Sequence, residues 1–301
     1  MAFANRRELL FVYSVKDANP NGDPLNANHP RYDEETGRVL VSDVRIKRTI
    51  RDQWLRDGLN VFVDGELKTL RTRAEELKKA VNVKTGQEAL SKCIDARLFG
   101  ATYALGGERF SWTGPVQFKW GRSLNRVQVE LVQGTAAFAT SDTDNQRSFR
   151  NEYIVPFALI AVYGIANQYP SKDTGATDED IDSMIVTLWD GTLNLITRSK
   201  VGHRPQLLLE VTYKEGFNGI AGALDEHITI RNLDGDEISE EEQLALRSVS
   251  ELQLDASGAC EAILRHSDSI KQVRVVRSRD LQVTGLEALN ALGGCLVVEE
   301  K

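Results

Sequence analysis

The chain has little of what most enzymes and secreted proteins are built from. Three cysteines, Cys93, Cys260 and Cys295, stand far apart among 301 residues with no CxxC pair. Neither a disulfide framework nor a zinc site is expected, and each reads as a small buried hydrophobe. The four histidines, His29, His203, His227 and His266, are isolated, with no HExxH helix and no GxSxG elbow beside them. A Walker A loop and a GxGxxG turn are absent as well. No apolar run approaches the ~18 residues of a membrane helix, and MAFANRRELL at the start has no hydrophobic signal region, so the expectation is a cytoplasmic protein with no membrane contact. The aromatic platforms on which ordinary RNA-recognition motifs stack bases are also missing, which speaks against base reading on a sheet. Neither a catalytic residue nor a metal or cofactor is expected.

What is present is a chain with 41% hydrophobic residues, enough for a full core. Its net charge of −7 and pI near 5.3 differ from those of a simple basic nucleic-acid binder. The distribution is uneven: residues 1–160 hold 24 Lys and Arg against 20 Asp and Glu, and residues 161–301 hold 13 against 24. Positive potential is confined to the first half.

Its richest stretch is 19–56. Asn19-Pro20-Asn21-Gly22-Asp23-Pro24 is dense in residues that pre-set φ or fold side chains onto the backbone, an ordered-loop signal suited to contact with a ribose-phosphate chain. Ser42 is a good N-cap, so a helix begins at Asp43. Ile46, Ile50 and Trp54 fall on one stripe, and Arg45, Lys47, Arg48, Arg51 and Arg56 spread over the other side, a surplus that favours an anionic partner. Asp17, Asp23, Asp33, Glu34 and Glu35 lie nearby. They could gather Mg²⁺ for phosphodiester cleavage, but loop solvation explains them more simply.

Along the rest of the chain, 7–15 reads as a strand buried on both faces. Residues 67–81 and 87–98 read as two helices of an insertion closed by Gly100. Residues 115–120 and 126–132 read as strands around a loop at 121–125 that contains Arg122. The polar segment 133–151 reads as a long loop whose Phe138, Arg147, Phe149 and Arg150 could stack on or clamp nucleic acid. A strand at 153–166 has Pro156 at an edge or bulge. A helix capped by Thr177 packs through Ile181, Ile185, Leu188, Trp189 and Leu193 and ends near 197. The basic loop 198–204, with Arg198, Lys200 and Arg204, is a second cluster to place against phosphate before a strand at 206–213. This order gives an α+β fold of ferredoxin-like or RNA-recognition-motif topology. Beyond 214, strands near 227–233, 271–276 and 296–299 and helices near 239–254 and 259–266 are expected.

NPNGDP at 19–24, PRYDEETG at 30–37, SDVRIKRTIRD at 42–52, DARLFG at 95–100, GPVQFKWGRSLN at 114–125 and TRSKVGHRPQLLLEVTY at 197–213 together resemble the Cas-seven-type backbone subunit of type I CRISPR interference complexes, closest to subtype I-B and next to I-C. The resemblance covers 7–213. It implies a RAMP-like palm over 1–58 and 111–301, helical fingers at 59–110 and a thumb loop at 133–151. Copies of such a subunit polymerise along a CRISPR RNA beside other Cascade subunits and leave its bases to pair with target DNA. A protein that coats any guide should touch phosphates and 2′-hydroxyls, not base edges. Guide contacts are thereby expected at Asn19, Asn21, Arg45, Lys47, Arg48, Arg51, Arg122, Arg198, Lys200 and Arg204, with the thumb residues above. The competing implication is a metal-dependent ribonuclease of the type III backbone kind, with Asp23 or Asp142 as its loop carboxylate.

Overall fold

A computed structural model describes residues 2–135 and 149–301. Within its first half the elements are β1 (Arg7–Ala18), β2 (Arg38–Val41), α1 (Asp43–Arg56), α2 (Leu70–Ala80), α3 (Gly86–Ser91), α4 (Ile94–Phe99), β3 (Gly100–Leu105), β4 (Glu108–Thr113), β5 (Val116–Phe118), β6 (Gly121–Ser123) and β7 (Glu130–Thr135). β8 (Phe149–Ala166), α5 (Asp178–Leu193), β9 (His203–Tyr213), α6 (Ser257–Leu264), β10 (Ile270–Arg277) and β11 (Leu296–Glu300) follow, with shorter pieces between them.

β1 is central because its sequence demands two covers. Apolar residues occupy both parities, and a strand turns successive side chains to opposite faces. Leu9, Phe11, Tyr13 and Val15 enter one core, while Leu10 and Val12 enter another. The main sheet runs in the order β11-β10-β9-β1-β8-β6-β2, antiparallel except for the β10 and β11 pair, with β5 and β7 on other stretches of β8, while β3 and β4 pair apart from it. On the first face lie α1, through Ile46, Ile50 and Trp54, and α5, through Ile181, Ile185, Leu188 and Trp189. On the second lie α6 and its flanking segments, through Leu252, Leu254, Cys260 and Ile263.

The caps fall where the sequence puts them. Ser42 Oγ accepts from Arg45 N–H at 3.3 Å, and Thr177 and Asp180 form a capping box. α5 stops at Leu193, short of 197, and that leucine is 49% exposed, outside the packing stripe. Between β1 and β8 the register runs from Lys16 opposite Phe157 to Ala18 opposite Val155. Pro156, with no N–H to give, thus falls level with Asp17, whose φ is +48°.

Four further expectations need correction. The helix expected near 239–254 spans only Glu240–Ala245 and is followed by a short strand at Gln253–Asp255. The helix expected at 87–98 is two, because Cys93 takes an extended backbone and Ile94 N–H donates to Asn60 O at 3.0 Å. The insertion is not all helical: β3 and β4 form a hairpin that stacks Tyr103 on Phe110 at 5.2 Å. It closes a third core with Ala74, Leu77, Leu90 and Cys93. Finally, 121–123 is a strand joining β8 to β2, whereas 126–129 is not. Asn125 stands in for the ladder there, its Oδ1 accepting from Leu159 N–H at 2.9 Å and its Nδ2 donating to Phe157 O at 3.2 Å.

β8 outruns β1. Beyond Val155 it pairs with β7, from Ile154 opposite Glu130 to Phe149 opposite Thr135, so part of the expected 133–151 loop is a two-stranded ribbon leaving the sheet.

Between the layers Glu8 is fully buried and bound by four donors: the hydroxyls of Tyr163 and Tyr213, Ala221 N–H at 2.7 Å and Gly222 N–H at 2.9 Å. Burial, reinforced by this carboxylate, holds both phenols protonated well above the usual tyrosine range. Glu8→Ala orphans all four donors, and urea unfolding should show a loss of about 3 kcal/mol or more.

Candidate nucleic-acid interface

Where β1 ends, three segments surround a cleft of about 580 Å³: the 17–28 loop, the 198–200 loop and the base of the ribbon at 151–154. Local chemistry fixes each wall. Asn21 Oδ1 accepts from Ser42 N–H at 2.8 Å and from Ser42 Oγ at 2.9 Å, which ties the loop to the cap of α1. Asp23 O accepts from Asn26 and Asn28 N–H, and Asn19 Nδ2 donates to Asn28 O at 2.7 Å, so the loop is bonded to itself. Asn19 N–H donates to Ser199 O at 2.9 Å, joining the two loops.

Arg45, in the first turn of α1, and Lys200 reach this cleft together. Arg45 donates to Thr49 Oγ1 at 3.2 Å and Lys200 Nζ to Asn19 O. Among the described residues neither has a carboxylate at ion-pair distance. Burial draws Arg45 below the usual arginine range, and burial with Arg45 nearby pushes Lys200 down to about 7. His203, whose Nδ1–H donates to Lys200 O at 2.7 Å, is pushed by burial and then by Lys200 to about 3 and stays neutral. Arg198 lies at the mouth, 2.8 Å from Glu152.

The cleft thus gathers Asn19, Asn21, Arg45, Arg198 and Lys200 of the residues singled out in the sequence. Lys47, Arg48 and Arg51 are elsewhere and already paired. Lys47 donates to Asp43 at 3.2 Å and Gln117 at 3.3 Å, Arg48 pairs with Asp52, and Arg51 Nε donates to Asp95 at 2.8 Å. Asp95 is fully buried and also accepts from Phe62 N–H at 2.6 Å and Val63 N–H at 3.1 Å, so this pair clamps the insertion to α1. Arg122, on β6 between β8 and β2, lies 3.0 Å from Asp33. There it meets Arg38, held below the usual arginine range by burial and then by Arg122 and Arg126. Arg38 and Arg126 were not singled out; a charged residue opening the apolar RVLV strand is the signal for Arg38. Arg204 lies past the cleft, 4.0 Å from Asp280. Phe149 and Arg150 begin β8, whereas Phe138, Arg147 and Asp142 fall outside the described residues.

Asp23 has a local role: its Oδ1 accepts from Leu25 N–H at 3.1 Å and lies 3.8 Å from Arg31. Among the described residues no group of three or more His, Cys, Asp or Glu side chains is placed to hold a metal.

The fold recurs in solved structures. One chain of a "CRISPR RNA-guided surveillance complex, pre-nicking" matches with a TM-score of 0.53 at 13% identity, covering 96% of this chain and 100% of that one. A chain of another "CRISPR RNA-guided surveillance complex" matches with a TM-score of 0.52 at 13% identity, covering 90% and 88%. In sequence, the CRISPR-associated protein Cas7 of Haloferax volcanii is 29% identical over 314 residues, covering 94% of this chain and 90% of its own length. The family model for CRISPR-associated protein Cas7 matches residues 5–257, and the chain belongs to that family.

Arg51→Ala would leave the Asp95 carboxylate buried without its counter-ion. Chemical denaturation should show a loss of about 3 kcal/mol, whereas Arg48→Ala, at a partly exposed surface pair, should stay within about 1 kcal/mol of the parent.

Proposed function

We propose that the chain is a non-catalytic backbone subunit of a type I CRISPR RNA-guided complex, nearest subtype I-B and next I-C, acting in the cytoplasm. It polymerises along the guide RNA with other copies of itself, beside other subunits, and presents the guide to target DNA. The observation that carries this reading is the pair of half-buried cations, Arg45 and Lys200, with no carboxylate at ion-pair distance among the described residues, at a polar cleft between ordered loops. Two like charges desolvated side by side are held at a cost that an anion between them removes. A sugar-phosphate chain supplies that anion at every residue whatever its sequence, as a protein that must coat any guide requires.

The architecture supports the same reading. The strand order β9-β1-β8-β6, with α1 after β1 and α5 after β8, is that of a ferredoxin-like palm. The segment with its own core between α1 and β5 takes the fingers' place, and the ribbon of β7 and β8 the base of a thumb. Both sheet faces are filled by core, so bases have no platform there and remain free to pair. Arg122 with Arg38 and Arg126 extends the positive edge. No helix among the described residues is long and apolar enough to cross a membrane. The ribonuclease alternative is not favoured, since Asp23 is held within its own turn.

Arg45→Ala and Lys200→Ala should each weaken single-stranded RNA binding about tenfold for any sequence and reduce the magnitude of the salt slope by about 0.7, read by fluorescence anisotropy. An anion beside Lys200 favours its ammonium, so binding takes up a proton wherever the free lysine is neutral. With the free group near 7, RNA affinity should be level below that pH and fall, by up to about tenfold per unit, as pH rises through 8 and 9. In Lys200→Gln that dependence should flatten.

A further inference from the structure

A second cleft, of about 610 Å³, lies between the 29–37 segment, the chain at 126–129 and the short acidic helix Glu240–Ala245. It adjoins the first. Asn28 and Tyr153 line the first cleft and His29 the second, and the rings of His29 and Tyr153 pack 4.7 Å apart, so a strand leaving the first cleft over this pair enters the second. Arg126 lines the second cleft and belongs to a cluster of like charges, since Arg38 is held below the usual arginine range by burial and then by Arg122 and Arg126. Asp33 is taken by Arg122 at 3.0 Å, and Arg126 is paired with Glu240 of the helix. Gly37, at φ +68°, lets that guanidinium lie against the backbone, because a Cβ there would sit 2.8 Å from Arg126 Nε.

The helix that supplies Glu240 is held in place weakly. None of its six residues is buried, and a helix of that length does not stand alone in water. Arg126 N–H donates to Gln243 Oε1 at 3.0 Å, Gln243 Nε2 donates to Ile238 O at 3.0 Å, and just past the helix Arg247 lies 3.8 Å from Glu130. Surface pairs of this kind contribute little. Ile238 and Leu246, on either side of the helix, pack in the second core, so the segment between them moves without disturbing that core. A guanidinium takes a carboxylate or a phosphate through the same fork of donors, and one excludes the other. Glu240 offers one carboxylate to one arginine. A nucleic-acid strand brings phosphates in series, which suits the cluster of Arg126, Arg38 and Arg122.

We infer that the cluster of Arg38, Arg122 and Arg126 is a phosphate site for single-stranded RNA that the free chain keeps covered with its own acidic helix: Glu240 stands where a phosphate will lie, and the incoming strand displaces the helix from Arg126. This rests on the RNA-binding reading above and adds to it a threshold. A stray anion that reaches one arginine does not outcompete the tethered carboxylate, whereas a strand already seated in the first cleft does, because its next phosphates arrive at high effective concentration.

The test is hydrogen exchange of the full chain with and without single-stranded RNA, read by mass spectrometry, beside affinities from fluorescence anisotropy. RNA should speed exchange of the helix amides at 243–245 by about fivefold or more, since the displaced helix is too short to persist. Gln243→Ala removes the acceptor for Arg126 N–H without changing charge and should raise RNA affinity about threefold. Glu240→Gln, at an exposed position, should raise it as well, with the folding of each variant checked by its melting temperature. In an Arg126→Ala background, itself weaker in RNA binding, Gln243→Ala should give no gain. Exchange at 243–245 that RNA leaves unchanged or slows, or a gain from Gln243→Ala that survives Arg126→Ala, overturns the inference and leaves the RNA-binding reading standing. Should the two helix variants alter the oligomeric state without RNA and leave RNA affinity unchanged, the cleft takes a neighbouring copy and the inference fails. Absence of any RNA binding by the parent chain overturns both readings.

Discussion

The two-sided burial of β1 is the constraint on which the rest depends. With Leu9, Phe11, Tyr13 and Val15 on one face and Leu10 and Val12 on the other, neither face of the sheet's centre can meet water. α1 and α5 satisfy one face, and the chain after residue 214 satisfies the other. A sheet covered twice has no surface left for reading bases, so an extended ligand is confined to its ends and edges. The end of β1 is where the 17–28 loop, the 198–200 loop and the ribbon meet, and the cleft is there for that reason.

Electrostatics divides the cations into two groups by partner. Arg7 is buried among Asp178, Asp182 and Glu210, and Arg97 is bound to Asp180, so these guanidiniums join β1, α5 and α4. Arg51 with Asp95 does the same between α1 and the insertion. Removing one member of such a pair strands a charge in low dielectric, which makes them parts of the scaffold. Arg45 and Lys200 have desolvation without compensation, a state held by surrounding structure and suited to an incoming anion.

The acidic second half has a structural role that its charge conceals. Its apolar residues, among them Leu252, Leu254, Cys260 and Ile263, form most of the second core, while Glu240, Glu241 and Glu242 open a short exposed helix. Burial explains the thiol of Cys260, pushed up to about 12, as it does that of Cys93, so both behave as hydrophobes. The exposed carboxylates of the short helix make the surface there negative.

The sequence by itself determined the local features: the cap at Ser42, the capping box at Thr177, the two-sided strand and the turn chemistry around Asn21 and Asp23. Each depends on contacts within a few residues or on a period of two or 3.6, which a linear reading sees directly. It also brought Asn19, Asn21, Arg45, Arg198 and Lys200 into consideration for one ligand. Only the tertiary structure decided which cations are free. The surplus on α1 is an excess only along the chain, because Asp95 arrives from 44 residues away to pair with Arg51. The strand at 121–123 and the role of Asn125 likewise depend on remote partners, in β2, in β8 and at Leu159, whereas the hairpin of β3 and β4 turns locally at Gly106-Gly107. Long-range pairing is set by how the two cores close around β1, and no local pattern records it.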